Sequence, residues 1–165
     1  MDKKDLEILK LLQKDASIPL ASLAGAVNLS STPCWRRVQK LYAEGVIEQQ
    51  VVLCNPKQLN LGLIAFVSIR TNQHNQEWME RFVSGARNIP EIVEIYRMSG
   101  DIDYLLKVLM PDISGYDKIY KKLIQVVDLQ EVSSSFAMEV LKSTTVLPLD
   151  YVILGMSAVT KLRDS

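Results

Sequence analysis

Residues 28–45 of this chain, NLSSTPCWRRVQKLYAEG, carry the signals that decide the N-terminal fold. Ser30 and Ser31 each offer a hydroxyl to the free N–H groups of a first helical turn, and Pro33 suits that turn because it has no N–H to leave unsatisfied. Gly45 suits the left-handed position that follows a helix. The sequence therefore predicts a helix that begins at about residue 31 and stops at Gly45.

This helix has two distinct faces. At about 100° per residue, Cys34, Val38 and Leu41 fall on one stripe, which we expect to be buried. The other face is polar and cationic, and no acidic residue occurs between positions 30 and 43, so the helix suits the major groove of DNA. A solvated amphipathic helix is the alternative interpretation. The outward residues are Thr32, Pro33, Arg36, Gln39 and Lys40, with Trp35 and Arg37 on the flanks.

Two shorter helices are predicted before this one. Asp2 can cap the first, with Asp5 in the same turn, and Pro19 can begin the second. The second and third helices are joined by a tight turn, which makes a helix-turn-helix with the third as its recognition helix. We expect this domain to span residues 1–54, with the β-rich stretch 46–53 as a candidate wing.

The composition is that of an ordinary globular protein. Of 165 residues, 48% are hydrophobic and 23% are charged, and 19 basic residues balance 19 acidic ones. Any contact with nucleic acid must therefore come from a local patch. The longest apolar run, residues 61–69, is shorter than the roughly 20 residues needed to span a bilayer, and the N-terminus has no signal-peptide pattern. We expect a cytoplasmic protein without a membrane partner.

An enzyme is a rival interpretation, because ferredoxin-like domains often catalyse, but the sequence gives little support for catalysis or metal binding. Asp101 and Asp103 are a possible carboxylate pair, although carboxylates this close together in a turn are more often solvated than catalytic. Cys34 and Cys54, with His74 as the single histidine, match no zinc or disulfide framework, and Cys34 is expected in the core. A glycine-rich phosphate loop, HExxH and GxSxG are all missing from the sequence. We therefore expect no enzyme, no metal site and no cofactor.

After a connector at residues 55–62, residues 63–147 alternate between strand and helix patterns. The order β, α, β, β, α, β predicts a ferredoxin-like domain, with both helices on one face of an antiparallel sheet. The fold class is therefore α+β, a winged helix-turn-helix followed by a ferredoxin-like domain, and this architecture alone assigns no function. The predicted strands are residues 64–70, 92–98, 104–110 and 131–140, and the predicted helices are residues 77–88 and 111–127.

The second face of the sheet is expected to be apolar and to need a cover. An exposed apolar face of this kind marks an interface, and self-association is the simplest cover. A two-fold dimer would also carry two recognition helices to successive half-sites on DNA. The residues expected on this face are Ile64, Phe66, Ile95, Leu105, Val108, Phe136 and Met138.

Three stretches resemble one protein family. LSSTPCWRRVQKLYAEGVI at residues 29–47, MSGDIDYLLKV at residues 98–108 and SSFAMEVLKSTTVLPL at residues 134–149 are similar to the Lrp/AsnC family of bacterial and archaeal transcription regulators. The resemblance implies dimers formed through the sensing domain, assembly into octamers that wrap DNA, and amino acids bound where dimers meet. Trp35 and EWMERFV, residues 77–83, are similar to a subgroup that responds to cysteine.

The resemblance also implies residues for each role. Within the DNA-binding set, Arg36 is expected to read guanine, while Arg37 and Lys40 hold phosphates. The implied DNA contacts are Ser31, Thr32, Pro33, Arg36, Arg37, Gln39 and Lys40. The implied effector contacts are Ser99, Gly100, Asp101, Asp103 and Tyr104, with Ser134 and Ser135 near them.

The chemistry of the effector residues suits an amino acid. A turn at Gly100 flanked by Asp101 and Asp103 can offer free N–H groups to a carboxylate and acceptors to an ammonium group. The alternative is a plain hairpin turn with Asp103 solvated.

The sequence as a whole favours a DNA-binding regulator of amino-acid metabolism or transport, modulated by an amino acid at an oligomer interface. The alternative is an oligomeric amino-acid sensor that acts through protein partners without specific DNA binding. Residues 148–165 are more apolar than a free tail, so we expect them to pack on a neighbouring subunit.

Overall fold

The computed structural model describes residues 1–153, and the chain divides into two compact units. The N-terminal unit comprises residues 1–52 together with residues 142–153, and the C-terminal unit comprises Leu53–Leu141. Among the described residues, no helix is long and apolar enough to cross a membrane. The rest of the predicted tail, residues 154–165, lies outside the described residues.

The N-terminal unit contains the three predicted helices. They are α1 (Lys3–Leu12), α2 (Leu20–Ala26) and α3 (Ser31–Ala43). The first begins at a capping box, in which Asp2 and Asp5 each accept a hydrogen bond from the other's backbone N–H. Cys34 and Leu41 of α3 are buried as predicted. The core of this unit consists of Ile8, Leu9, Leu23, Ala24, Val27, Cys34 and Leu41.

Two left-handed residues set the boundaries of α3. Asn28, with φ of 55°, makes the turn between α2 and α3, and asparagine tolerates this conformation better than most residues. Gly45, with φ of 67°, ends α3. The Gly45 N–H bonds to the Tyr42 carbonyl at 3.0 Å and the Val46 N–H to the Leu41 carbonyl at 2.9 Å. This pair of bonds is a Schellman motif, so the predicted end of the helix is confirmed.

The β-rich stretch at residues 46–53, the candidate wing, contains no strand in the structure. Its backbone has no neighbouring strand in the described part of the N-terminal unit, and an unpaired segment cannot form a ladder. Gln50 instead donates its side-chain amide to the Ala16 carbonyl at 2.9 Å. The chain then enters a short 3₁₀ helix at Pro56–Leu59, inside the predicted connector.

The segment after residue 141 packs on the N-terminal unit of its own chain. The Gln13 side chain accepts a hydrogen bond from the Leu147 N–H at 2.6 Å and donates one to the Leu147 carbonyl at 3.3 Å. Leu149 adds apolar surface to the core of the same unit. Packing of this tail on a neighbouring subunit stays a prediction.

The C-terminal unit has the predicted βαββαβ order. All strand pairs are antiparallel and the strand order is β2-β3-β1-β4. The elements are β1 (Leu63–Arg70), α4 (Gln76–Arg87), β2 (Ile92–Arg97), β3 (Tyr104–Met110), α5 (Ile113–Ile124) and β4 (Glu131–Phe136).

Two elements end earlier than predicted. The fifth helix ends at Ile124, although Val127 is still buried beyond it. The last strand ends at Phe136, which pairs with Ala65, so only the first residues of β1 remain to pair with residues 137–140. The Ala137 N–H still bonds to the Ile64 carbonyl at 2.9 Å, one residue after β1 begins at Leu63, so residues 139–140 have no β1 residue left to pair with.

Three residues expected on the open face of the sheet face the helices instead. Val108 is fully buried, Ile95 lies opposite buried Leu106, and Phe136 lies opposite buried Ala65. Leu105 and Val108 are an odd number of positions apart, so a period of two cannot place both on one face. In β2, an irregular register between Ile92 and Glu94 shifts the alternation as well. The expectation for these three residues is therefore wrong.

The remaining open face is a mixture of apolar and polar side chains. On β1 it includes Ile64 and Phe66, of which Phe66 is 38% exposed, and on β3 it includes Leu105 and Lys107. Lys107 pairs across the face with Glu94 at 2.7 Å. The helix-facing side holds the core, which includes Val67, Ile69, Trp78, Phe82, Leu106, Met110, Ile119 and Leu123.

Gly85 allows α4 to approach the end of α5, and this contact gives a testable prediction. A Cβ atom at Gly85 would lie 2.2 Å from Cγ1 and 3.1 Å from Cβ of Val126. We expect Gly85→Ala to lower the free energy of unfolding by about 1–3 kcal/mol, because the added methyl group overfills the packed site. Urea denaturation followed by circular dichroism measures the change.

The control is Gly115→Ala in α5, where the added Cβ would meet its nearest neighbour at an ordinary 3.8 Å. Since alanine favours a helix over glycine, this variant should be stabilised by about 0.5–1 kcal/mol. Equal stability of the two variants would contradict the packing argument.

Candidate functional site

The outward face of α3 is accessible and free of acidic residues through Ala43. Six of the seven residues implied as DNA contacts are exposed on it. Arg36 lies in the middle of this face, while Lys40 lies one turn later and approaches Glu44 at 3.8 Å. Trp35, on the flank, is 51% exposed. The exposed six are Ser31, Thr32, Pro33, Arg36, Gln39 and Lys40.

The seventh residue, Arg37, is held by the start of α1. Its Nη1 lies 2.6 Å from Oδ2 of Asp2 and 2.7 Å from Oδ1 of Asp5. The Asp5 side chain is only 2% exposed, so Arg37 supplies the charge that this buried carboxylate needs. Asp2 and Asp5 were predicted to lie in the first turn of α1, and their contact with α3 was not predicted. No sequence pattern connects residues that lie 32 and 35 positions apart.

The titration behaviour of this cluster follows from its contacts. The backbone N–H of Asp5, and then the Arg37 guanidinium, lower the pKa of Asp2 below its ordinary value of 3.8. The carboxylate of Asp5, and then that of Asp2, raise the pKa of Arg37. Nearby, burial raises the pKa of the Cys34 thiol, which is 0% exposed. Cys34 therefore stays protonated and acts as a core residue, as predicted.

The loop between β2 and β3 carries most of the residues implied in effector binding. Ser99, Gly100 and Asp101 are exposed, and Gly100 has φ of 113°, which favours glycine. Arg70 Nε donates to the Asp101 carbonyl at 2.5 Å. The loop is thus tied to the end of β1.

Asp103 connects this loop with a second one, residues 71–75. Its Oδ2 accepts a hydrogen bond from the Thr71 N–H at 2.8 Å, and its Oδ1 lies 3.9 Å from Nδ1 of His74. Asp103 is therefore not a freely solvated turn residue. Its Oδ1 remains the carboxylate oxygen best placed to accept from a ligand.

These two loops enclose a polar cleft of about 280 Å³. Asp103 and Arg97 both line the cleft, and their carboxylate and guanidinium groups are complementary to the ammonium and carboxylate groups of an amino acid. Arg97 and the loop at residues 71–75 were not among the predicted effector residues, although the polar run TNQHNQ directly after a strand was a visible signal for the loop. The lining residues are Gln73, His74, Asn75, Gln76, Met79, Arg97, Met98, Asp103 and Tyr104.

The other implied effector residues have different surroundings. Tyr104 is 6% exposed, and its ring packs on Trp78 and Phe82 with centroids 5.8 and 4.7 Å away, so it forms the inner wall of the cleft. The Ser134 hydroxyl bonds to the Tyr116 hydroxyl on the helix side of the sheet. Ser135, the next residue along the strand, points to the open side, and neither serine lines this cleft.

A helix-turn-helix with an exposed cationic recognition face is typical of the class of DNA-binding proteins, and in this chain it is joined to a βαββαβ domain with a polar cleft. Comparison with known families agrees with this class. Residues 1–48 match the family described as winged helix-turn-helix DNA-binding, and residues 64–147 match the Lrp/AsnC ligand binding domain. The chain belongs to the Lrp/AsnC family of DNA-binding transcription regulators.

Individual relatives match over most of the chain. The glutamate uptake regulatory protein of Zymomonas mobilis subsp. mobilis is 46% identical over 149 residues, 90% of this chain and 91% of that protein. The crystal structure of an AsnC family regulator from Agrobacterium tumefaciens is 51% identical with a TM-score of 0.90, and the match covers 93% of this chain and 100% of that one. A Neisseria meningitidis regulator solved as its L-Met complex is 31% identical with a TM-score of 0.88, covering 93% and 99%.

These matches confirm the predicted fold class, a winged helix-turn-helix followed by an α+β ligand-binding domain, and the predicted family. They also confirm that the chain is a regulator and not an enzyme, because its relatives are transcription regulators. They leave the cysteine-responsive subgroup and the individual contact residues as proposals.

The Asp2–Arg37 contact predicts a pH dependence. Asp2→Asn keeps a cap acceptor but removes the charge that faces Arg37. Because the folded pKa of Asp2 is depressed, its stabilising effect is fully present above the unfolded pKa of about 3.8 and is lost as the pH falls through the folded pKa. We expect the variant to lose at most about 1 kcal/mol of unfolding free energy at pH 7, since the pair is half-exposed.

The difference between variant and wild type should shrink as the pH is lowered from neutral to below about 4. Urea denaturation at a series of pH values measures it. Glu48→Gln removes an exposed acid from the same unit and serves as the control. A difference that grows toward acid pH would contradict the assigned direction.

Proposed function

We propose that this protein regulates the transcription of genes for amino-acid metabolism or transport. It binds double-stranded DNA through α3 and an amino-acid effector in the cleft, and it works as a homo-oligomer, a dimer assembled further into an octamer, with the effector at the oligomer interface. Chromosomal DNA as the partner implies action in the cytoplasm. The observation that carries the proposal is the exposed, acid-free face of α3 centred on Arg36.

The residues of this face divide into two roles. Arg36 projects from the middle of the face and has the paired donors that match guanine O6 and N7 in the major groove. Lys40 is exposed one turn further along and suits a phosphate. The first turn of the helix, with its free N–H groups, faces the phosphate backbone of DNA, and it contains Ser31, Thr32 and Pro33. Gln39 supports base contact from the same side as Arg36.

Substituting Arg36 tests DNA reading directly. The wild-type protein first selects its operator from a pool of random duplexes, and fluorescence anisotropy then measures affinity for that duplex. We expect Arg36→Ala to bind about 10- to 100-fold more weakly, because a bidentate contact to guanine contributes about 1–3 kcal/mol. Preference for one base pair of the operator should relax at the same time.

Arg81→Ala is the matched control, since Arg81 is an exposed arginine on α4 in the C-terminal unit. It should bind like wild type. If Arg36→Ala also binds like wild type, α3 does not read bases, and an amino-acid sensor that acts through protein partners becomes the better account.

The cleft supports an amino acid as the effector class. Asp103 Oδ1 can accept from the ammonium group, Arg97 can bind the carboxylate, and Met98 with Met79 offers apolar surface to the side chain. Ser99, Gly100 and Asp101 continue the same loop and would contribute N–H groups or a second acceptor at its rim. Similar proteins are named for glutamate uptake and for an L-Met complex, which are both amino-acid systems. Ser134 and Ser135 belong to the proposed site only if a neighbouring subunit completes it.

A thermal-shift screen against the 20 amino acids tests the effector. At a ligand concentration of 100 times Kd, stabilisation of about 2.7 kcal/mol raises Tm by several degrees. Cysteine is tested first, under reducing conditions, because residues 77–83, EWMERFV, are similar to the subgroup that responds to cysteine. We expect the shift to disappear in Asp103→Asn, which can still accept from the Thr71 N–H but has no charge for the ammonium group.

Asp117→Asn removes an exposed acid of α5 and is the control, with an unchanged shift expected. A shift that survives in Asp103→Asn would remove this cleft from the proposal. No shift with any amino acid would remove the effector class.

A further inference from the structure

We propose that Arg37 is a positioning residue of the recognition helix and does not itself contact DNA. This assignment rests on DNA binding through α3 and differs from the phosphate contact that the family resemblance implies for Arg37. It gives a DNA-binding role to Asp2 and Asp5, two acidic residues that DNA would repel.

The contacts around Arg37 form a closed network. Asp2 Oδ1 accepts from the Asp5 N–H at 3.0 Å, and Asp5 Oδ2 accepts from the Asp2 N–H at 2.9 Å. The two remaining oxygens, Oδ2 of Asp2 and Oδ1 of Asp5, both accept from Arg37 Nη1. Each carboxylate oxygen therefore has a partner, and Arg37 ties α3 to the capping box of α1.

Burial decides where the Arg37 guanidinium stays. The Asp5 side chain is 2% exposed, whereas that of Arg37 is 32% exposed. If Arg37 turned toward a phosphate, it would leave a buried carboxylate without its cation, and an unpaired buried charge is strongly unfavourable. The contact with a DNA phosphate that Arg37 would gain is exposed to solvent, so salt would screen it and it would compensate for little of that cost. The pairing with Asp5 therefore persists when DNA binds.

Holding Arg37 fixes the direction of its neighbour. Adjacent residues on a helix are about 100° apart, so fixing one flank of α3 against α1 sets the rotation of the outward face. Arg36 is the next residue along the chain and lies on that face. Arg37 thus acts on base reading through the orientation of Arg36.

Salt titration separates positioning from contact. DNA affinity is measured by anisotropy on the selected duplex and on a random duplex, at a temperature where circular dichroism shows each variant folded. We expect Arg37→Ala to bind the selected duplex about 10-fold more weakly, in line with couplings between neighbouring residues. The slope of log K against log salt should match wild type, whereas Lys40→Ala should reduce it by about 0.9.

Asp5→Asn gives an independent test that does not require removal of the arginine. It keeps the shape of the side chain and removes a negative charge. If Arg37 positions the helix, this variant binds the selected duplex more weakly although it is less repelled by DNA. Arg37→Lys, which keeps a charge for Asp5, should recover a large part of the binding lost in Arg37→Ala.

A double variant tests the link to Arg36. The combined loss in Arg36→Ala with Arg37→Ala should be smaller than the product of the single losses, because Arg36 without its positioning residue has already lost part of its contact. Independent losses, a reduced salt slope in Arg37→Ala, or tighter binding by Asp5→Asn would each overturn the proposal. So would wild-type binding by folded Arg37→Ala. Failure of the wild type to bind any duplex would instead contradict DNA binding itself.

Discussion

A buried carboxylate constrains the DNA-binding unit. Asp5 lies in the first turn of α1 with almost no access to solvent, and such a group must find hydrogen bonds and a cation within the protein. It obtains the first from the Asp2 backbone and the second from Arg37 on α3. The helices also share an apolar core, and the two short charged contacts add a directional constraint to that packing. The direction in which the exposed face of α3 points is therefore constrained by the ion pair between Arg37, on the flank of α3, and Asp5 of α1.

The helices and most of the strands could be predicted from local sequence patterns, whereas the tertiary contacts could not. The capping residue Asp2, the buried stripe of α3 and the stop at Gly45 depend on neighbours within a few positions, and the sequence shows them directly. The side of the sheet that Val108 faces depends on strand register, which the sequence does not show. The Arg37–Asp5 pair joins residues 32 positions apart, which no periodicity reveals.

The candidate effector cleft was also predictable only in the part that depends on neighbouring residues. The glycine turn was visible in the sequence, but the cleft exists because the loops after β1 and β2 meet at Asp103. One oxygen of that carboxylate is committed to the Thr71 N–H and the other is available. The residue that joins the two loops is therefore also a candidate ligand group, and the cleft is formed by contacts within the chain itself. No sequence pattern distinguished Arg97, which lines the same cleft and adds a positive charge to the negative charge of Asp103.

The segment that begins at residue 142 makes the DNA-binding unit discontinuous in sequence. The polypeptide leaves this unit before Leu53, completes the whole sheet and returns to place Leu149 against the first helices. A fragment that ends at residue 54 would consequently expose the surface that Leu149 covers. The Gln13 side-chain amide would also lose both of its hydrogen bonds to the Leu147 backbone. The N-terminal unit of the structure thus includes residues far beyond position 54, where linear order would place its end.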